Sequence, residues 1–252
     1  ENNIIMIPKI IHYCWFSDDP KPLLIKKCIK SWARCMPDFK FVCWDSKSFD
    51  FKSVKYVNEA YKKKQWAFVT DYIRFYAVYK MGGIYLDSDV LVKKKLNIFL
   101  DNKCFFGTES LYDDIKYNGM LVNPEPAIFG AEANHQVMKH VLNYYESQNF
   151  ILDDGSYNKK VCPQVLGEIL ERYYSYEHKN EFQELSSNIR IYPTSFFCNL
   201  NQLQQDNVYA VHQFANSWID TSDRGLVFKL CKKYALMGAY HKIERIIRKL
   251  KS

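Results

Sequence analysis

Two aspartates close an apolar run over residues 84–92 that we predict to be a single strand. Side chains alternate along an extended segment, so Tyr85, Asp87 and Asp89 are expected to share one face. Same-side Cα atoms lie about 6.5–7 Å apart, so one carboxylate can hold a hard cation while the other reaches a bound water or a sugar hydroxyl. Oxygen ligands favour Mg²⁺ or Mn²⁺ over zinc. The pair indicates a divalent metal site.

The surroundings of this pair strengthen the prediction, because an Asp-x-Asp tripeptide alone also occurs by chance in solvated turns. The run follows a helix predicted over residues 65–81, where apolar residues recur at spacings of three and four and two glycines, Gly82 and Gly83, end the helix. Asp71 and Arg74 lie three residues apart on one face of that helix. A lone pair of this kind is usually a surface ion pair. Beside the acidic strand, it indicates part of a site.

The elements that position these residues alternate between strand and helix. Strands over residues 10–16 and 39–44 flank a helix over 23–34, which predicts a parallel unit with a crossover helix. This alternation is typical of a layered α/β domain. Further strands are predicted at 103–108, 126–131, 188–192 and 208–211, and helices at 135–145 and 161–174.

Composition narrows the class of protein. The 252 residues are 48% hydrophobic and 25% charged, which excludes a disordered or fibrous chain. Eight scattered cysteines without a Cys-x-x-Cys pair indicate neither a zinc site nor a disulfide framework. We expect reduced, buried thiols and a cytoplasmic protein. No signal peptide is predicted, and no stretch approaches the roughly 18 uncharged residues of a spanning helix.

Three blocks of the sequence resemble one known family. The central block, Thr70-Asp-Tyr-Ile-Arg followed by Gly82-Gly-Ile-Tyr-Leu-Asp-Ser-Asp, is similar to the signature of glycosyltransferases with a DXD sugar-binding motif. That family includes capsular-polysaccharide transferases, yeast initiating mannosyltransferases and the glucosylating domains of large clostridial toxins. Residues 7–16 resemble its first strand and residues 210–218 its late loop near the metal. The resemblance implies a GT-A type nucleotide-binding domain over residues 1–223, with a mixed, mainly parallel sheet flanked by helices.

The resemblance also implies roles around the sugar donor. Trp15 would stack on the nucleotide base, and Tyr85 would contact the nucleotide sugar or phosphate. Asp71 and Arg74 would hold the donor sugar and phosphate, while Asp87 would face the ribose and the donor sugar. The catalytic residues predicted in this way are Asp71, Arg74 and Asp87.

The metal would be held by Asp89 directly, with Asp87 beside it and further ligands from the late loop. The candidates in that loop are His212, Asn216 and Ser217. Trp218 would close over the diphosphate, and Ser217 would also contact the donor. The toxin branch of the family uses an acidic residue in this loop, whereas residues 212–218 contain none.

The resemblance thus predicts an Mn²⁺- or Mg²⁺-dependent hexosyltransferase. It would move a sugar from a nucleotide diphosphate sugar, with a UDP-sugar favoured, to a glycan or lipid-linked acceptor with retention of configuration. Surface or capsular polysaccharide synthesis in a bacterium is the expected setting. Because the leaving group carries two negative charges, a metal at Asp89 and the Arg74 guanidinium are expected to neutralise its phosphates.

The C-terminal residues 224–252 concentrate the positive charge, with nine Lys or Arg and one Glu against a net charge of +7 for the whole chain. Ile243, Ile246 and Leu250 share one helical side, which fits an amphipathic helix on the anionic inner face of the cell membrane. A basic, solvated helix that packs on the domain explains the pattern equally well. No nucleic-acid partner is expected.

Two other functions compete with this reading. A haloacid dehalogenase-type phosphohydrolase also ends a strand with Asp-x-Asp, but it expects that motif on its first strand and a hydroxyl residue two positions after the second Asp, where this chain has Leu91. A non-catalytic sugar- or nucleotide-binding module would use the aromatic residues and the basic segment. Such a module needs no constellation of Asp71, Arg74, Asp87 and Asp89.

Overall fold

A mixed sheet of seven strands forms the centre of the structure. The computed structural model describes residues 7–109, 122–197 and 207–215. In chain order the elements are β1 (Ile10–Cys14), α1 (Leu23–Cys35), β2 (Lys40–Trp44), α2 (Lys55–Lys62), α3 (Trp66–Met81), β3 (Gly83–Leu86), β4 (Val90–Val92), β5 (Cys104–Thr108), β6 (Pro124–Ala131), α4 (Gln136–Glu146), α5 (Cys162–Tyr174), β7 (Gln183–Leu185), β8 (Ile189–Tyr192) and β9 (Ala210–His212).

The central sheet has the strand order β2-β1-β3-β6-β5-β8-β7, and β4 pairs with β9 in a separate sheet of two strands. Strand β1 is parallel to β2 and β3, and β5 is parallel to β8. The predicted α/β class, with a mixed sheet flanked by helices, is confirmed. Parallel pairs are three of six and not the majority that we predicted, because β6 runs antiparallel to both of its neighbours and β7 runs antiparallel to β8.

Helices cover both faces of the central sheet. On one face, α2 to α5 bury a core that includes Ile73, Val141 and Leu166. On the other face, α1 and the β4–β9 pair bury a second core around Trp32 and Phe99. The predicted β1-α1-β2 unit is confirmed. Strands β1 and β2 pair in parallel, and α1, which connects them along the chain, buries its apolar side. Helix α2 and strand β7 were not predicted.

The end of α3 is fixed by glycine. Gly82 adopts φ +63°, and a Cβ there would lie 2.8 Å from Pro8 Cδ and 2.9 Å from the Ala133 nitrogen. Only glycine tolerates this conformation and this approach. The predicted helix and its glycine stop are therefore confirmed, and β3 begins at the next residue.

A buried histidine ties β1, β2 and the end of α3 together. The Trp44 indole Nε1 donates to His12 Nδ1 at 3.1 Å, and His12 Nε2 lies 2.8 Å from the Gly82 carbonyl oxygen. An indole N–H is only a donor, so Nδ1 of His12 is the acceptor. The imidazole proton is therefore on Nε2, which donates to the Gly82 carbonyl oxygen. Burial lowers the pKa of His12 from 6.5 to about 4. The imidazole is therefore neutral at physiological pH.

The segment 84–92 is not the single strand that we predicted. Strand β3 ends at Leu86, and a turn follows in which the Val90 N–H donates to the Asp87 carbonyl oxygen at 2.9 Å. Strand β4 then leaves the central sheet and pairs with β9. The physical reason is that Asp and Ser side chains compete for nearby backbone groups and favour turns over strand interiors. The apolar residues on either side of Asp-Ser-Asp therefore belong to two strands.

Six cysteines in the described ranges are free thiols, and Cys14, Cys28, Cys104 and Cys162 are buried as predicted. No helix among the described residues combines the length and apolar character needed to cross a bilayer. The predicted basic helix over 224–252 lies outside the described residues, and the domain boundary at residue 223 stays a prediction.

Candidate active site

Three side chains converge just beyond the end of β3. Asp87, Asp89 and His212 each offer one ligand atom, and these atoms all lie within 4.8 Å of one another. The pairing of β4 with β9 creates this approach, because Val90 is the register partner of His212. The structure thus brings together the three described residues that we predicted as metal ligands. Because Asp87 to Asp89 form a turn, the two carboxylates meet by chain reversal and not by strand alternation.

Asp89 is held by the backbone that follows β9. Its Oδ2 accepts a hydrogen bond from the Ala215 N–H at 2.8 Å, and its carbonyl oxygen accepts from the Gln213 N–H at 3.1 Å. Its Oδ1 lies 3.3 Å from His212 Nε2. Phe214, between these two donors, adopts φ +45°, which is an unfavourable left-handed conformation for a non-glycine residue. Residues 213–215 therefore curl around Asp89 at some conformational cost.

Asp87 is held from behind by two buried side chains. The Tyr85 hydroxyl donates to Asp87 Oδ1 at 2.8 Å, and Arg74 Nη1 donates to Asp87 Oδ2 at 3.4 Å. Tyr85 is completely buried, with the Arg74 guanidinium carbon 5.1 Å from its ring centre. The predicted contact of Tyr85 with a nucleotide stays a prediction. In the structure, its hydroxyl orients the Asp87 carboxylate.

Arg74 lies beneath the site with its donors largely occupied. Its Nη2 donates to Asp71 Oδ1 at 3.1 Å, its Nη1 also donates to the Pro126 carbonyl oxygen at 2.9 Å, and its Nε donates to the Thr70 carbonyl oxygen at 3.3 Å. Only 7% of the Arg74 side chain is exposed. The direct hold on donor sugar and phosphate that we predicted for Asp71 and Arg74 stays a prediction. In the structure, Arg74 links Asp71 to Asp87.

Electrostatic shifts follow from burial and from these partners. Burial raises the pKa of Asp71 to about 7 in spite of the neighbouring Arg74. Burial likewise raises the pKa of Asp87, although Arg74 and His212 oppose this effect. Burial also acts to raise the pKa of Asp89, but His212 and the Ala215 N–H outweigh it, so that pKa lies below its usual value.

His212 lies between two carboxylates. Burial disfavours its charged form, but Asp89 and Glu125 outweigh that effect and hold the pKa of His212 well above its usual value. The imidazole Nε2 faces Asp89, and Nδ1 lies 3.8 Å from Glu125 Oε1. In the absence of a cation, therefore, the carboxylates stabilise a protonated imidazole.

Glu125 is the site residue that the sequence analysis missed. Its side chain is 5% exposed, and its Oε1 accepts a hydrogen bond from the Ala127 N–H at 2.9 Å. The signal in the sequence was Pro124-Glu125-Pro126, a charged residue between two prolines at the start of an apolar strand. A glutamate at the start of an apolar strand is expected to be buried, and a buried acid usually has a partner. The tripeptide therefore indicated a glutamate with a specific partner.

The two prolines also explain an irregularity in β6. Along β5 the partner of Phe106 is Phe129, but the partner of the next residue, Gly107, is Glu125. Proline has no N–H for a ladder and occurs in sheets at bulges or edges. The carbonyl oxygens released here accept from the site: Pro126 from Arg74 Nη1, and Ala127 from the Asp87 N–H at 2.9 Å.

Trp15 lies at the same edge of the sheet as Asp87, since β1 and β3 are parallel and both end there. Its ring is half-buried, its Nε1 donates to the Asp19 carbonyl oxygen at 3.1 Å, and Lys21 Nζ lies 5.4 Å from the ring centre. The predicted stacking on a base stays a prediction. The predicted residues Asn216, Ser217 and Trp218 lie outside the described residues.

The donor set fits a divalent cation. Two carboxylates and one imidazole within 4.8 Å of one another can surround a single ion, and carboxylate oxygens are ligands that suit Mg²⁺ and Mn²⁺. The connected cluster contains the carboxylates of Asp71, Asp87, Asp89 and Glu125 but only the cations Arg74 and His212. The surplus of negative charge favours a positive ligand.

The fold and the site together define an α/β protein with an acidic, cation-accepting cluster beyond the third strand. Residues 22–106 match the family model described as "Glycosyltransferase sugar-binding region containing DXD motif". The resemblance predicted from the sequence is therefore confirmed over this region.

Two relatives align over most of this chain. "Uncharacterized glycosyltransferase L373" of Acanthamoeba polyphaga mimivirus is 25% identical over 90% of this chain and 87% of its own length. "Inositol phosphoceramide mannosyltransferase 1" of Schizosaccharomyces pombe is 22% identical over 93% of this chain and 70% of its own length.

Among solved structures, the PaToxG glycosyltransferase superimposes with a TM-score of 0.45 and 16% identity, over 66% of this chain and 70% of that chain. A glycosyltransferase involved in glycosylation of the major capsid of PBCV-1 superimposes with a TM-score of 0.44 and 11% identity, over 81% of this chain and 93% of that chain.

Proposed function

We propose that this protein is a metal-dependent glycosyltransferase that moves a sugar from a nucleotide diphosphate sugar to a glycan or lipid-linked acceptor. A UDP-sugar is the favoured donor, and Mn²⁺ or Mg²⁺ is the cofactor. The observation that carries the proposal is the Asp87, Asp89 and His212 cluster, whose ligand atoms lie within 4.8 Å of one another inside the matched DXD region and the strand that pairs beside it.

The described residues would divide the work as follows. Asp87, Asp89 and His212 would hold the cation. When bound, a divalent cation supplies Lewis-acid neutralisation of the diphosphate leaving group. Tyr85 and Arg74 fix both oxygens of Asp87 in place, so the carboxylate does not reorganise during the reaction. Trp15, at the same edge of the sheet, would provide the face on which the base stacks.

Protection from water follows from the depth of the cluster. The side chains of Asp89 and His212 are 13% and 15% exposed, so a donor that covers them removes most of their remaining contact with solvent. Charge–charge attraction strengthens as water is excluded. The cluster therefore favours a donor whose diphosphate brings a cation with it.

Retention of anomeric configuration, from the same family resemblance, is part of the proposal. Proton NMR of the purified glycoside shows the anomeric configuration of the new linkage, which is then compared with that of the donor. An inverted product would overturn retention while leaving metal-dependent transfer intact.

The peripheral membrane contact through residues 224–252 also stays a proposal. Liposome flotation of the chain with and without that segment tests it, and equal binding would remove it.

The central test is titration calorimetry of the whole chain with Mn²⁺ and UDP, followed by UDP release from a panel of nucleotide sugars. Asp89→Asn keeps an oxygen that can accept from the Ala215 N–H, so we expect an intact fold with at least a tenfold loss of Mn²⁺ affinity. Asp38→Asn is the matched control, since Asp38 pairs with Lys9 on the surface. Normal metal-dependent turnover in Asp89→Asn would overturn the proposed site.

A further inference from the structure

We propose that Glu125 is a positioning residue for the cation site, which holds His212 in the tautomer and orientation that present Nε2 to Asp87 and Asp89. This inference rests on the proposed function, because it assumes that the cluster binds a divalent cation. It concerns a residue on β6, far in sequence from both the DXD turn and β9.

The first step is the placement of the imidazole between two carboxylates. His212 Nε2 lies 3.3 Å from Asp89 Oδ1, and Nδ1 lies 3.8 Å from Glu125 Oε1. The ring centre is 4.1 Å from that of Phe214, so packing limits its rotation. The two imidazole nitrogens therefore face two different carboxylates: Nε2 faces Asp89 inside the cluster, and Nδ1 faces Glu125 outside it.

The second step concerns the proton. A neutral imidazole carries one N–H, and the nitrogen that binds a metal must be the other one. Nδ1 is buried and has no hydrogen-bond partner among the described residues, and the acceptor that it faces is Glu125. A proton on Nδ1 pointing at Glu125 leaves the lone pair of Nε2 free to bind a cation that Asp87 and Asp89 also hold. The 3.8 Å separation exceeds the usual N–H···O distance of about 3 Å, so the bond requires the two side chains to approach each other by about 1 Å.

The third step is that Glu125 is itself fixed and is not one of the ligands. The Ala127 N–H holds its Oε1, and the irregular pairing of β6 presents it at this point. The cluster whose ligand atoms lie within 4.8 Å of one another consists of Asp87, Asp89 and His212, without Glu125. Carboxylates that hold the second nitrogen of a metal-bound histidine typically contribute 10–100-fold to metal affinity.

The test is a double-mutant cycle on Mn²⁺ affinity, measured by calorimetry on the whole chain. Glu125→Gln keeps the size of the side chain but removes its charge. Because Oε1 faces both the Ala127 N–H and Nδ1, the amide either keeps its oxygen there without the charge that attracts the Nδ1 proton, or turns its N–H₂ to Nδ1 and favours the wrong tautomer. We expect about a tenfold loss of affinity from Glu125→Gln alone, and little further loss when it is added to His212→Ala. Glu59→Gln is the matched control: its carboxylate also accepts from backbone N–H groups, those of Phe150 and Ile151, and we expect less than a twofold change.

A spectroscopic measurement complements the double-mutant cycle. It tests the role of Glu125 even if His212→Ala binds Mn²⁺ too weakly for calorimetry. Imidazole ¹⁵N NMR with saturating Mg²⁺ should show the Nδ1–H form of His212 in the wild type and its loss in Glu125→Gln. If Glu125→Gln does not fold, Glu125→Asp takes its place in both measurements, because it keeps the charge and shortens the side chain.

The outcomes separate the two proposals. A wild-type chain that binds no Mn²⁺ overturns the proposed metal dependence itself. A wild-type chain that binds Mn²⁺, with unchanged affinity in Glu125→Gln or with equal losses in the presence and absence of His212, overturns the role of Glu125 and leaves the metal site standing. A loss that depends on His212, together with the tautomer change, supports the inference.

Discussion

Mild acid should destabilise the fold through His12. Burial lowers the pKa of His12 to about 4, whereas the unfolded chain keeps the ordinary value of 6.5. Between these two values the unfolded state binds a proton that the folded state does not, so stability is present above pH 6.5 and is lost as the pH falls towards 4. A proton on Nδ1 would also oppose the Trp44 indole donor at 3.1 Å.

The size of the effect follows from the shift in the pKa. A change from 6.5 to about 4 corresponds to about 3 kcal/mol over the whole window, at about 1.4 kcal/mol per pH unit. Between pH 7 and pH 5, the same linkage removes about 2 kcal/mol from the free energy of unfolding. Other groups titrate in this range too, so a difference between variants isolates the contribution of His12.

Urea denaturation at pH 7, 6 and 5, followed by tryptophan fluorescence, measures that difference. His12→Gln lacks the titrating group and starts less stable, and we expect its free energy of unfolding to fall by about 2 kcal/mol less than that of the wild type across this range. His140→Gln is the control, since His140 is only partly buried, and it should follow the wild type much more closely. Identical pH dependence in the wild type and in His12→Gln would refute the reasoning.

Three further substitutions probe the packing around the site. Tyr85→Phe removes the 2.8 Å hydrogen bond to Asp87, so we expect a loss of about 1 kcal/mol in urea denaturation and a severalfold weaker Mn²⁺ isotherm; unchanged Mn²⁺ affinity would contradict the orienting role. Trp32→Phe leaves the buried Val90 carbonyl oxygen without its donor at 2.7 Å and should cost about 1–3 kcal/mol in the same assay. Gly130→Ala places a Cβ 2.6 Å from a core phenylalanine ring, so the melting temperature should fall by an amount equivalent to about 1–3 kcal/mol, and wild-type stability would show that the sheet relaxes there at no cost.

Local patterns explain what the sequence predicted well. Helix α3 was found within a residue of its observed bounds, because its apolar spacing and the glycine stop are both encoded by neighbouring residues. The β1-α1-β2 unit was found for the same reason. The cluster of Asp87, Asp89 and His212 was predicted from the family resemblance, and the structure brings these three side chains together.

The errors arose where distant segments decide the outcome. Residues 90–92 continue an apolar pattern, but their partner is β9, more than a hundred residues later, and no local signal indicates that they leave the central sheet. The hydrogen bonds from Tyr85 and Arg74 to Asp87 depend on how β3, α3 and the turn after β3 pack together, which the sequence does not state. Glu125 was missed because it belongs to the site only through its proximity to His212, which its neighbours in sequence do not indicate.

The pairing of β4 with β9 has a consequence for how the protein is made. A ribosome releases Asp89 long before the backbone N–H of Ala215, its hydrogen-bond partner 126 residues further on. A nascent chain therefore carries both aspartates but no completed cation site until its last described strand emerges. Once it does, an ion bound by both segments closes a very long loop. Because the entropic cost of closing a loop grows only slowly with its length, the binding energy of a single ion can hold the two segments together. The cation that we propose would then stabilise the fold late in synthesis as well as serve as a cofactor.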